Sequence, residues 1–124
     1  MFIWDKMLRL LVLALTILAV PLGVSAGAAE DNYRLYCVQC HGSKGTGEGI
    51  NNTMGGLAVS PKNHASAEEM SKLSDEDIRL AITEGGDAVS KSELMPAWGE
   101  TLTAREIDEL VGYLRQLCRC EAGR

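Results

Sequence analysis

Apolar positions along the 124-residue chain fall into three regimes. From Leu10 to Val20 the run is apolar apart from Thr16, with no polar face. From residue 41 to 63 apolar positions thin out, and glycine appears six times in 23 residues, several at every second position. From Ser74 onward apolar residues return at helical spacing, first as Ile78, Ala81 and Ile82. A longer stripe follows at Ile107, Leu110, Val111, Leu114 and Leu117, one face of an amphipathic helix. β-Branched runs with period two are absent.

This pattern predicts helices and long loops. A first short helix is expected from about Glu30 to Cys40, with acids in its first turn. The glycine-rich segment reads as irregular. A structureless stretch of that length is unusual in a compact domain unless it has a task, and wrapping a large flat ligand is one. A short helix fits residues 66–72. A firmer one opens at Ser74, where "SDED" is a capping box with Asp77 in the third helical position, and Gly85-Gly86 stops it. After the loop "DAVSKSELMPAWGETL", the sequence "TARE" gives a second capping box at Thr103. The expected fold class is all-α, three to four helices with long loops.

The N-terminal run changes the picture of domain and compartment. Lys6 and Arg9 precede it, Pro21 and Gly23 break it, and small residues follow in "VSAGAAED". That order is the pattern of a secretory signal, with cleavage options after Ala26 or Ala28. The run is shorter than the roughly 20 residues of a spanning helix; an uncleaved membrane anchor is the alternative. The expected division is 1–28 for the signal or anchor and 29–124 for one domain, located in the periplasm. The remaining domain is small enough to benefit from a staple or cofactor. Its aromatics are Tyr33, Tyr36, Trp98 and Tyr113. The segment takes with it two of 12 basic and one of 17 acidic residues, leaving a net charge of −6. Nucleic acid is excluded as a partner, because phosphate binding needs a basic face. A protein with a positive docking patch suits this charge.

Chemistry enters with "YRLYCVQCHG". Cys-x-x-Cys-His suits covalent attachment of c-type haem. On one helical turn the i and i+3 sulfurs share a face and can reach two porphyrin vinyl positions, and the adjacent histidine can ligate the iron. Cys37 and Cys40 are thus the expected thioether positions and His41 the expected axial ligand. Two other chemistries use similar residues. A redox dithiol would sit in a βαβ unit, which the pattern lacks. A zinc site would need a second ligand pair, which Cys118 and Cys120 could supply at the wrong spacing. For the opposite face of the iron the candidates are Met54, Met70, Met95 and His64. Met95 stands out: it lies in "LMPAWG", between two helices, with Pro96 fixing the backbone just after it. Met54 lies in the glycine-rich segment, Met70 falls in the weak helix, and His64 reads as a surface residue.

Together, "YRLYCVQCHG", "MPAWG" and the terminal "LVGYLRQL" resemble a small monohaem class I cytochrome c of the bacterial periplasmic kind, over about residues 30 to 118. The resemblance implies a cytochrome c-like fold around one covalently attached haem c, with thioethers at Cys37 and Cys40 and axial His41 and Met95. It implies that Tyr33 packs on the last helix near Tyr113 and Leu114. It further implies that the Pro61 carbonyl accepts the His41 ring N–H, and that Trp98 lines the haem pocket. The function implied is one-electron shuttling between respiratory donor and acceptor proteins, not enzymatic turnover. Two alternatives stay open: an anchored cytochrome subunit feeding a reductase or oxidase, and a haem module that releases Met95 to bind a gas. Cys118 and Cys120 depart from the family pattern. Residues i and i+2 do not face each other on a helix, so a bond between them requires unwinding. The readings are a local disulfide or inert thiols in a monomer, a crosslinked dimer, or a second metal or redox site.

Overall fold

The computed structural model describes residues 26–122, so residues 1–25 of the expected export segment lie outside the described part. The elements are α1 (Ala26–Tyr36), α2 (Val38–His41), α3 (Ile50–Thr53), α4 (Ala67–Met70), α5 (Asp75–Glu84), a 3₁₀ turn (Asp87–Val89) and α6 (Ala104–Cys118). No strand occurs among the described residues, so the chain is all-α, as its periodicity predicts.

Both expected capping boxes form. The Ser74 hydroxyl accepts from the Asp77 N–H at 3.0 Å, while the Asp77 carboxylate accepts from the Ser74 N–H at 2.8 Å. Thr103 and Glu106 repeat the arrangement at 3.3 and 2.8 Å. Each box satisfies donors that a helix N-terminus otherwise leaves unpaired. Glu106 also accepts from the Asn32 side chain at 3.5 Å, which links the start of α6 to α1.

The apolar stripe of α6 forms the centre of the core. Ile107, Leu110, Val111 and Leu114 are all buried, together with Tyr33 of α1 and Ile78 and Ile82 of α5. α6 packs on α1, α5 and α4. Tyr33 meets Tyr113 with ring centroids 5.2 Å apart. Arg115 fastens α6 to the α4–α5 corner: its guanidinium donates to the Met70 carbonyl at 2.8 Å, the Leu73 carbonyl at 2.7 Å and Asp75 at 2.8 Å.

Two local features differ from expectation, and a third selects the local disulfide among the readings of Cys118 and Cys120. α1 includes Ala26–Ala29 ahead of the expected Glu30, and the helix is interrupted between α1 and α2 at Cys37. The glycine-rich segment contains the single turn α3, held by the Thr53 hydroxyl on the Gly49 carbonyl and the Asn52 side chain on the Gly47 carbonyl. At the C-terminus, Cys118 and Cys120 are joined by a disulfide, with Cα atoms 5.2 Å apart. α6 ends at Cys118 and Arg119 takes a left-handed conformation, φ 51°; this is the unwinding that an i, i+2 bond requires. No helix among the described residues is long and apolar enough to cross a membrane.

Candidate haem-binding site

The Cys-x-x-Cys-His segment is built as one tight turn continuing from α1. The Cys37 N–H donates to the Tyr33 carbonyl at 2.9 Å, and the His41 N–H donates to the Cys37 carbonyl at 2.9 Å. Gly42 then ends the turn at φ 78°, a conformation glycine adopts without a Cβ penalty. The following loop folds back directly over this turn. A Cβ at Gly49 would lie 2.5 Å from the Cys40 carbonyl carbon, so only glycine permits the approach.

Cys37 and Cys40 are free thiols, both half-buried. Burial, with Cys40 as a secondary influence, pushes the Cys37 thiol up to about 12. His41 is buried, and its Nδ1 lies 3.0 Å from the Lys62 carbonyl oxygen. A carbonyl only accepts, so Nδ1 carries the proton and Nε2 keeps its lone pair. Burial lowers the His41 pKa against the opposing pull of the Lys62 bond, favouring the neutral, metal-ligating form. The expected acceptor was the Pro61 carbonyl, and this is corrected by one residue. The Pro61 oxygen is instead turned toward Gly47, where a Cβ would come within 2.8 Å of it. Pro61 still lines the cavity described next.

A cavity of about 770 Å³ opens beside this turn, bounded by Cys37, Cys40, His41, Met95, Trp98 and Pro61 among others. That volume lies in the range of pockets enclosing small molecules and cofactors. Two free sulfurs, a neutral imidazole and a thioether converge on it. That donor set fits a haem attached through the two sulfurs, with an imidazole nitrogen and a thioether sulfur available to its iron.

Met95 reaches the cavity through a loop fixed by the Gly85-Gly86 pair. The Gly86 N–H donates to the Met95 carbonyl at 3.0 Å. A Cβ on Gly85, φ 87°, would lie 2.9 Å from that oxygen. The pair therefore seats the methionine loop as well as ending α5, a role not visible in the sequence. Trp98 follows, its N–H on the Ile82 carbonyl at 2.9 Å and its ring 4.9 Å from Tyr36. Met54 is 82% exposed and does not line the cavity; Met70 lines it but is 1% exposed and packed in the core.

Sequence reasoning missed three participants. Tyr36 lines the cavity beside Trp98. The Lys62 carbonyl is a backbone group, which residue type does not reveal. His64, expected at the surface, is buried at 8% exposure and stacks on His41 with centroids 4.0 Å apart. The zinc alternative has no ligand set among the described residues, where no group of three or more His, Cys, Asp or Glu could hold a metal ion.

Helices folded around a Cys-x-x-Cys-His turn that shares one cavity with a methionine loop define a small c-type cytochrome, which carries covalently bound haem and transfers electrons. Residues 25–114 match the family model for cytochrome c oxidase, cbb3-type, subunit III, and the chain belongs to that family. Among solved structures it is similar to the KustC0563 c-type cytochrome, at 30% identity and a TM-score of 0.57, covering 72% of this chain and 95% of that one. It also shares its fold with a chain of the Kuenenia stuttgartiensis reducing HAO-like protein complex Kustc0457/Kustc0458, at 24% identity and a TM-score of 0.59. That match covers 74% of this chain and 43% of the other. No curated protein matches the sequence.

Proposed function

We propose that the chain is a one-electron carrier whose haem is bonded to Cys37 and Cys40 and held axially by His41 and Met95. The observation that carries this reading is that these four residues, from two segments more than 50 positions apart, line one cavity. The bound haem supplies a one-electron iron couple. The protein's residues set how that couple behaves. Lys62 fixes the His41 tautomer and raises its basicity as a ligand. As an iron ligand the Met95 thioether would favour the reduced state relative to a second histidine. Were His41 and Met95 both to bind the iron, they would leave it no position for substrate, which favours transfer between partners over turnover.

Approach of a partner is supported at the cavity rim. Val59 and Leu94 line the cavity yet are 51% and 60% exposed. An apolar rim on an acidic protein suits a redox partner whose own rim is basic. The periplasm is the compartment in which the N-terminal segment and the Cys-x-x-Cys-His motif make sense together.

The test is the absorption spectrum of chain matured in an oxidising compartment. A covalent c-type spectrum with a weak near-infrared sulfur-to-iron band is expected. Met95→Ala should abolish that band and admit carbon monoxide to the reduced protein, whereas Met54→Ala should leave it intact. Absence of covalent haem would refute the reading, and a band that survives Met95→Ala would refute the ligand assignment.

A further inference from the structure

The hydrogen bond from His41 to Lys62 fixes one ring atom and the tautomer. It restrains rotation about the Cβ–Cγ bond from one edge of the ring only, and a single hydrogen bond tolerates some swing of the ring. A flat group stacked on the ring face narrows that swing, and the fold supplies one. The His64 ring lies 4.0 Å from the His41 ring at an interplanar angle of 15°. It is itself immobilised. Its Nδ1 is 3.1 Å from the Tyr33 hydroxyl, which donates onward to the Gly42 carbonyl at 3.3 Å. Because that carbonyl can only accept, the tyrosine oxygen is left to accept from the His64 Nδ1–H, and the chain of donors runs one way. Gly45 closes the remaining side: a Cβ there, at φ 74°, would lie 3.0 Å from the His64 Cβ. Tyr33 is 1% exposed and wedged against Tyr113 of α6. The α1–α6 contact, Tyr33, His64 and His41 therefore form one continuous packed series.

We propose that His64 is a positioning residue that sets the ring plane of His41, with Tyr33 as its anchor. The inference rests on the proposed ligation by His41. Its consequence is spectroscopic before it is functional. The plane of an axial imidazole decides which iron orbitals it overlaps, and so the rhombic splitting of the low-spin ferric signal. Groups behind a ligand act on a metal in this indirect way.

The experiment compares electron paramagnetic resonance spectra of the oxidised, covalently loaded full chain in wild type, His64→Leu, His64→Phe and Tyr33→Phe. Leucine keeps bulk but removes the flat face; it should shift the largest g value and at least double the width of that line. Phenylalanine restores a flat face and should return the line to near its wild-type position. Tyr33→Phe removes only the anchor and should broaden the line without moving its centre. The near-infrared sulfur band should stay in all four, separating a ring-plane effect from general damage to the pocket. A wild-type g value and width in His64→Leu would overturn the inference, as would His64→Phe matching His64→Leu. A failure of His64→Leu to accumulate leaves Tyr33→Phe to decide, where an unbroadened line overturns it. Wild-type chain without covalent haem would instead overturn the ligation on which the inference stands.

Discussion

At the scale of single residues, the site depends on backbone approaches that no side chain advertises. Gly47 is the sharpest case. It sits at φ 84°, and a Cβ would meet the Pro61 carbonyl at 2.8 Å. The neighbouring carbonyl is the one that holds His41. Gly47→Ala therefore incurs left-handed backbone cost and displaces the 61–62 segment. A loss of roughly 2–4 kcal/mol is expected, measured by denaturant unfolding of the loaded protein. The same substitution should disturb the His41 electronic environment, whereas Gly56→Ala, which shares the left-handed backbone cost at φ 62° but has open space around its Cβ, should leave that environment unchanged. That Cys37, Cys40, His41 and Met95 would share one cavity was readable, because their chemistry and spacing are distinctive. The Lys62 carbonyl was not, since any residue offers that group. His64 was misread for a different reason. A histidine among polar neighbours reads as exposed, and only the packing of α1 against α6 places Tyr33 over it.

At the scale of elements, α5 and α6 are specified locally. Their caps are carboxylates accepting hydrogen bonds at positive helix ends. The Asp77 carboxyl is held below its usual 3.8 by the Ser74 hydroxyl and then the Ser74 N–H. The Glu106 carboxyl is held below its usual 4.5 by the Thr103 N–H, the Thr103 hydroxyl and Asn32. The sign follows from these directions. As pH falls, the unfolded chain takes up these protons first, so the caps stabilise above about pH 4.5 and lose their effect as pH drops through the lowered folded values. Wild-type protein should therefore lose more stability between about pH 5 and 3 than an Asp77→Asn, Glu106→Gln variant, as read from thermal unfolding across pH. Equal slopes would show that the caps carry none of the acid sensitivity. The short elements α2, α3 and α4 were less legible. Single turns are marginal by propensity and exist here because the chain around them is tied down. α3 hangs on Gly47 and Gly49, and the α4–α5 corner hangs on Arg115.

At the scale of the whole molecule, the cavity of about 770 Å³ is shared by residues from nearly every element. Core residues such as Met70, Ile78, Ile82, Leu110 and Leu114 line it. A domain this small has little apolar area to spare, and without a bound group those side chains lose contact partners on one side. Preventing attachment with Cys37→Ala, Cys40→Ala should therefore leave helical far-ultraviolet dichroism largely intact. The near-ultraviolet signal and a cooperative transition should be lost, the signature of retained helix without fixed packing. A haem-free variant that unfolds as cooperatively as wild type would show that the helices alone complete the core. The family match and the fold shared with c-type cytochromes both agree with a chain folded around its haem.

The sequence by itself determined what depends on residue type and short spacing. It set the helical class, the two capping boxes, the apolar stripe of α6 and the Cys-x-x-Cys-His turn. Each is decided within a few residues, where backbone geometry leaves little choice. The tertiary structure alone decided which carbonyl faces His41, where His64 lies, and that Gly85-Gly86 seats the loop carrying Met95. Those outcomes depend on how closely distant backbones approach, which packing around one shared cavity settles and local pattern does not.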